Sequence, residues 1–439
     1  MGYQIAFISL GCAKNQVNCE QMMAAAAAAG HAVQASPEGA DVAVVNTCGF
    51  LASACEEAIE TILEMAELKR AGQVGRILVT GCMAQRYKED VLNELPEVDG
   101  VLGTGSYGDI ARAIEEVMDQ GLRPCHMGNI HTARQGGPRI LSTPPWYAYL
   151  RIAEGCDNHC AYCVIPSLRG RYRSRPMAEL LEEAEELSSA GVRELLVIAQ
   201  DITRYGTDLD EGRRLADLLR ELCRLDFHWI RLHYLYPDEI TDELIDIIAK
   251  ESKIIPYLDI PIQHCNDGVL AAMNRRDTKA ELRALFERLR AHIPGLVLRT
   301  SIITGLPGEG EAEFEELCAF LREVRIERAG VFPFSPEEGT RAAQMDHVDT
   351  EEARRRAELA VDVQSNIMDE YNESVLGETR EVLCEGFDGQ TFYGRSYAES
   401  PEIDGRIYFD ADREVAPGQF VTVRLIGTMD GELTGELAE

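Results

Sequence analysis

Short apolar runs alternate with amphipathic stretches from Tyr3 to about Asp119. That alternation is the signature of a parallel sheet with helices packed on its faces, because buried parallel strands read as continuous apolar runs and their crossovers as helical periods. The runs predict strands over residues 4–10, 41–46, 76–80 and 98–102, and helices over 16–29, 53–71, 86–95 and 108–120. The first helix is rich in alanine, the residue of highest helical propensity.

Residues 121–145 carry Gly136-Gly137-Pro138 and Pro144-Pro145 with no apolar period, which reads as a linker. A second α/β stretch opens at Trp146, with strands predicted over 147–153, 194–199, 228–232, 257–260, 296–303 and 329–334. Six strand and helix units predict a parallel barrel or partial barrel, whose chemistry would sit on the loops that follow the strands. A long polar helix over 350–376 ends at Gly377. Beyond it the segments 379–385, 391–397, 405–409 and 419–426 alternate and are separated by Gly, Pro and Asp, the pattern of a small antiparallel β-barrel. The expected organisation is α/β multidomain: 1–120, a linker over 121–145, a core over 146–376 and a barrel over 377–439.

The length of 439 residues agrees with about three domains at roughly 150 residues each. Charge changes the picture more. Against 43 Lys and Arg stand 75 Asp and Glu, a net of −32; such a surface repels phosphate backbones and favours a basic partner. No run approaches 18 consecutive apolar residues, and residues 1–11 lack the basic and apolar regions of a signal peptide, so a cytoplasmic chain without a membrane role is expected. Thirteen cysteines in a reducing compartment do not form a paired disulfide framework. Metal ligation or redox chemistry becomes the question.

Cys156, Cys160 and Cys163 form C-x3-C-x2-C directly after the first strand of the second domain. Three thiolates this close can hold three irons of a [4Fe-4S] cube and leave the fourth open for a substrate or cofactor. A zinc site completed by His159 is the competing reading; the spacing and loop position favour iron and sulfur. Cys12, Cys48 and Cys82 are far apart in sequence, yet each falls just past a predicted parallel strand. Carboxyl ends of such strands converge on the crevice where these sheets bind ligands, so the three thiols could meet at a second cluster. Gly11 and Gly81 would let backbone come close to it. Cys19, Cys55, Cys125, Cys223, Cys265, Cys318 and Cys384 share no such placement and read as core or surface thiols.

The C-x3-C-x2-C motif with Tyr162 before its last cysteine resembles the radical S-adenosylmethionine superfamily. A three-cysteine domain before it and a small β domain after it resemble the methylthiotransferases of that superfamily over essentially the whole chain. Within them, Ser9-Leu10-Gly11-Cys12-Ala13-Lys14-Asn15 and Asn46-Thr47-Cys48-Gly49-Phe50 are similar to the RimO-type branch, which acts on ribosomal protein; the transfer-RNA enzymes typically carry a phenylalanine before the first Gly-Cys. Ala13, where proline is common, and Cys19, where serine or aspartate is usual, depart from the pattern without touching a proposed ligand.

The resemblance implies two [4Fe-4S] clusters, on Cys156, Cys160 and Cys163 and on Cys12, Cys48 and Cys82, with S-adenosyl-L-methionine at the first and the sulfur cargo at the second. It implies methylthiolation of the β-carbon of an aspartate in the twelfth small-subunit ribosomal protein, near the decoding centre, on the free protein or the assembled subunit. An electron donor and a sulfur source are implied as further partners. A transfer-RNA adenosine 2-methylthiotransferase and a non-catalytic iron–sulfur carrier or scaffold are the alternatives.

Tyr162, Gln200, Gln263, Arg299, Gly305 and Glu309 are the candidate cofactor contacts, since Gln200, Gln263 and the segment from Arg299 to Glu309 belong to strand ends or the loops after them. His264 reads more naturally as a satisfied core histidine. Arg169, Arg171, Arg173 and Arg175 would share one face of an extended segment, a nucleic-acid signal that competes with ion pairing to the many carboxylates. The last domain resembles a TRAM domain. From Glu373 to Glu439 it holds 15 acidic residues against 5 arginines and no lysine, a balance of −10 suited to a basic protein surface rather than RNA.

Overall fold

A computed structural model of the chain describes residues 2–210 and 212–438. The N-terminal part is a six-stranded parallel sheet in the order Ala32–Gln34, Gln4–Ser9, Ala40–Thr47, Val74–Gly81, Gly100–Gly105, Cys125–Gly128. Its central strands are almost wholly apolar and buried on both faces, the condition under which parallel strands persist. The register pairs Ser9 with Asn46, Asn46 with Thr80 and Thr47 with Gly81, which brings three strand ends level.

Two edge strands escape the sequence pattern, Ala32–Gln34 and Cys125–Gly128. The second lies in the stretch read as a linker. It pairs parallel with Gly100–Gly105, so the sheet extends past residue 120 before the chain crosses to the next domain. The helix expected over 86–95 is two, Cys82–Tyr87 and Glu89–Glu94, broken at Lys88, whose φ of 50° leaves the helical region. Cys82 therefore opens a helix directly at a strand end.

The second domain has the six strands in sequential order: Tyr147–Arg151, Glu194–Ile198, Trp229–Leu232, Ile254–Asp259, Val297–Thr304 and Arg328–Pro333, all parallel. The first and last do not pair, so this is a partial barrel. Its outer face packs with the intervening helices into one large core that includes Leu150, Leu195, Ile230, Leu258 and Leu298. The helix Thr350–Ser374, capped by the Asp349 carboxylate on the Glu352 N–H, runs along the last strand; its Gln364 donates to the Ile326 carbonyl at 2.7 Å.

The C-terminal barrel is closed by five strands, Thr379–Phe387, Phe392–Arg395, Ile407–Asp410, Phe420–Met429 and Glu432–Leu437. The last was not expected, and it runs parallel to Ile407–Asp410, which makes the barrel mixed rather than wholly antiparallel. The segment after Phe392–Arg395 packs on the partial barrel across several of its strands. There Tyr147 donates to Glu402 at 2.9 Å, Tyr257 to Asp404 at 2.7 Å, and His233 Nε2 lies 3.0 Å from Ser400 Oγ. The far end of the partial barrel faces the N-terminal sheet. No helix among the described residues is long and apolar enough to cross a membrane.

Candidate functional site

A cavity of about 430 Å³ lies between the carboxyl ends of the two parallel sheets, and all six motif cysteines line it. That volume falls within the range of small-molecule sites. Three of the thiols come from one side. Cys12, Cys48 and Cys82 follow the level strand ends, and Asn15 and Asn46 tie those ends together: Asn15 Nδ2 donates to the Leu10 carbonyl at 2.8 Å and Asn46 Nδ2 to the Asn15 carbonyl at 2.8 Å. Gly11 has φ +88°, and a Cβ on it would fall 2.8 Å from Cys48 Cβ; a side chain there would push one thiol-bearing loop off the other.

The opposite thiols come from one loop. The Asn158 N–H points at Cys156 Sγ at 3.5 Å and the Ile165 N–H at Cys163 Sγ at 3.4 Å. Backbone donors aimed at sulfur stabilise its charged, metal-bound form. The loop is held from outside by the Ala161 N–H on the Met273 carbonyl and by Asn274 on the His159 carbonyl. His159 itself is exposed and does not line the cavity, so it does not complete a site with these thiols.

Burial pushes the Cys48 thiol up to about 12 and Cys156 up to about 11. Cys12 goes the other way: burial opposes its ionisation, but Lys14 and Arg169 together hold it below the ordinary value. Arg169 donates to Cys82 Sγ at 3.2 Å and to Asn18 at 2.6 Å, and pairs with Glu154 at 3.5 Å. It is the one member of the predicted arginine stripe that reaches the cavity, and it arrives from the end of the short helix Ile165–Arg169 rather than from an extended strand. Arg175 pairs with Glu183 at 2.7 Å, so ion pairing, not a shared basic face, describes the buried members of the stripe.

All thirteen cysteines are free of disulfides. Two triads of thiols, each with cationic or N–H donors at sulfur, fit the donor set of a [4Fe-4S] cube short of one ligand. Among the described residues no three such side chains converge on a single metal ion, and a cube, whose irons each take one thiolate, does not require it.

Of the predicted cofactor contacts, Tyr162, Gln200 and Gln263 line the cavity with the cysteines. The structure does not bring Arg299, Gly305 and Glu309 there. Arg299 is bound to Asp259 at 2.7 Å. Gly305 lies beneath the long helix, where an added Cβ would be 2.5 Å from Ala353 Cβ. Glu309 is buried, accepts the Gly305 N–H at 2.9 Å and pairs with Arg356 at 2.8 Å. His264 sits 3.3 Å from the same carboxylate, in the core as expected. Lys14, Tyr234 and Arg275 also line the cavity and were not foreseen as site residues. Positive φ at Tyr234 (66°), like that at Gln263 (72°), marks strained backbone at strand ends, visible only in three dimensions.

Comparison with known proteins divides the chain as its folds do. Residues 4–103 match the uncharacterized protein family UPF0004, 150–321 the radical SAM superfamily and 376–438 the TRAM domain. The ribosomal protein uS12 methylthiotransferase RimO of Caldanaerobacter subterraneus subsp. tengcongensis is 45% identical over 435 residues, covering 98% of this chain and 99% of that one. RimO of Pelotomaculum thermopropionicum is 47% identical over 443 residues, 99% of each chain. Among solved structures, the radical S-adenosylmethionine methyltransferase TsrM of Kitasatospora setae, with cobalamin and a [4Fe-4S] cluster bound, shares the fold at a TM-score of 0.56 and 14% identity, over 76% of this chain and 74% of that one. With near-full-length identity of this order and the same three domains in the same sequence, the chain belongs to the RimO family of radical S-adenosylmethionine methylthiotransferases.

Proposed function

We propose that this chain transfers a methylthio group to the β-carbon of an aspartate in ribosomal protein uS12, in the cytoplasm. The observation that carries the reading is that two thiol triads, one from each parallel sheet, face a single cavity. Cys156, Cys160 and Cys163 would hold one [4Fe-4S] cluster, and Cys12, Cys48 and Cys82 the other. With S-adenosyl-L-methionine bound, the pair supplies radical removal of hydrogen from an unactivated carbon together with the sulfur to replace it, chemistry for which acid–base side chains have no acidic proton to work on.

The chain's own residues provide the setting. Phe50, Leu51, Phe332 and Phe334 line the cavity with apolar surface, which keeps water from the reacting groups. Arg169 holds positive charge at Cys82. Gln200, fixed by its amide on Glu154 at 2.7 Å, and Gln263 offer polar contacts for the cofactor. The balance of −10 over residues 373–439 suits a lysine- and arginine-rich ribosomal protein and disfavours transfer RNA. Reducing equivalents and sulfur would come from outside the chain.

The test is mass spectrometry of uS12 and of transfer RNA from cells lacking this gene. The expected result is uS12 lighter by about 46 mass units, one methylthio group in place of hydrogen, with RNA unchanged. Loss from RNA alone overturns the reading.

A further inference from the structure

Among the described residues four charged side chains line the cavity, and three of them are already paired: Arg169 with Glu154, Arg275 with Asp277 and Glu337 with Arg86. Lys14 is the exception. It is only 7% exposed, yet no carboxylate among the described residues pairs with it, and its ammonium rests 2.9 Å from the centroid of the Tyr234 ring. A ring face holds a cation in place without neutralising it, so the charge stays available to an anion entering the cavity. Sulfur contact on this side falls to Arg169, which donates to Cys82 Sγ.

The platform under the lysine is built at some expense. Tyr234 takes φ 66°, a region that a bulky residue enters only when its surroundings force it. Here they do: the Tyr234 N–H donates to Asp259 at 3.2 Å, its carbonyl accepts the Ile202 N–H at 3.1 Å, and Arg299 fixes Asp259 from behind at 2.7 Å. Arg299, absent from the cavity lining, thus acts as a positioning residue for the Tyr234 ring.

Building on the proposed function, we infer that Lys14, seated on Tyr234, binds the carboxylate of the aspartate to be modified. The carboxylate carbon is directly bonded to the β-carbon, about 1.5 Å away. An ammonium that fixes the carboxylate therefore fixes the reacting carbon as well. Lys14 is two residues from Cys12, so the anchored carbon lies on the sulfur-carrying side of the cavity. The same contact selects against asparagine, which has the same shape and no charge.

The experiment uses the full-length, anaerobically reconstituted protein and two peptides of the uS12 loop, one with the target aspartate and one with asparagine in its place. Wild type should bind the aspartate peptide about 10- to 100-fold more tightly, the range of a charge-assisted hydrogen bond away from water. Lys14→Met should weaken the aspartate peptide by that factor and leave the asparagine peptide unchanged, while Lys14→Arg keeps the preference. 5′-Deoxyadenosine formation without peptide, which rests on the Cys156, Cys160 and Cys163 loop, should not change in either variant. The two peptides are compared on the same preparation at known iron per chain because, against burial, Lys14 also holds the Cys12 thiol below its ordinary value. Preference retained in Lys14→Met, or equal weakening of both peptides, would each overturn the assignment. Binding of neither peptide by iron-loaded wild type would instead overturn the uS12 reading, and the assignment with it.

Discussion

Arg395 of the C-terminal barrel donates to the Glu194 carboxylate at 2.8 Å, and both side chains are fully buried. Arg231 takes the other oxygen at 2.7 Å and donates to the Tyr397 carbonyl at 2.9 Å. One carboxylate at the start of the second barrel strand thus ties the last domain to the catalytic sheet. Removing one partner of such a group leaves uncompensated charge away from water. Glu194→Gln should destabilise the junction by about 3–5 kcal/mol. Thermal unfolding should show the C-terminal barrel loosening at lower temperature, with earlier cleavage between residues 374 and 379 in limited proteolysis; an unchanged profile would contradict the role.

His233 lies beside this junction, against Ser400. Burial first, then Arg231, Arg299, Lys14 and Arg395, hold its imidazole well below the ordinary value near 6.5. The folded protein therefore keeps the ring neutral where the unfolded chain takes up a proton. The stability this represents is fully present above pH 6.5 and is lost as pH falls below it toward the folded value. From about pH 7.5 to about pH 5.5 the loss should be about 1 kcal/mol for this one group. Urea unfolding of wild type and His233→Gln at the two pH values measures it, and the variant should lack that component of the acid slope.

The parallel strands were legible because they are buried on both faces and read as unbroken apolar runs; those of the partial barrel fall within about three residues of their expected positions. Ala32–Gln34 and Cys125–Gly128 were not legible, being edge strands of three and four residues with no alternation. Glu432–Leu437 is a short strand with only two apolar side chains, Leu433 and Leu437, and a glycine between them. The convergence of Cys12, Cys48 and Cys82 on one cavity followed from strand ends alone. Lys14 over Tyr234 did not, since 220 residues separate them and the contact needs two domains and a left-handed backbone. Arg299, within the fifth barrel strand, and Glu309, in the loop after it, occupy addresses expected of cofactor contacts, but their charges are engaged by Asp259 and Arg356.

The two triads should be separable. Cys160→Ala removes a proposed ligand from the loop site, so iron should drop from about eight to about four per chain and 5′-deoxyadenosine formation should vanish. Cys82→Ala should lower iron to the same extent, keep some S-adenosyl-L-methionine cleavage, and abolish methylthiolation of uS12. Iron analysis, product chromatography and peptide mass spectrometry on anaerobic samples check this. Retained cleavage in Cys160→Ala would break the ligand assignment.

Arg169 joins the halves of the site. Its guanidinium bridges Asn18 and Cys82 of the N-terminal domain to Glu154 of the second domain, all buried. Burial opposes ionisation of Glu154, but Arg169 and then Arg151 hold its carboxyl below the ordinary value. Arg169→Met keeps the length of the side chain and removes its charge. Glu154 then retains Arg151, at 2.8 Å, while Cys82 loses its donor. The expected destabilisation is about 2–4 kcal/mol, less than for a carboxylate left wholly alone. Because the lost contacts lie between the domains, calorimetry should show the N-terminal domain melting apart from the barrel, and iron loss should be confined to the Cys12, Cys48 and Cys82 site. Equal iron loss from both sites would mean that Arg169 supports the fold generally rather than this junction.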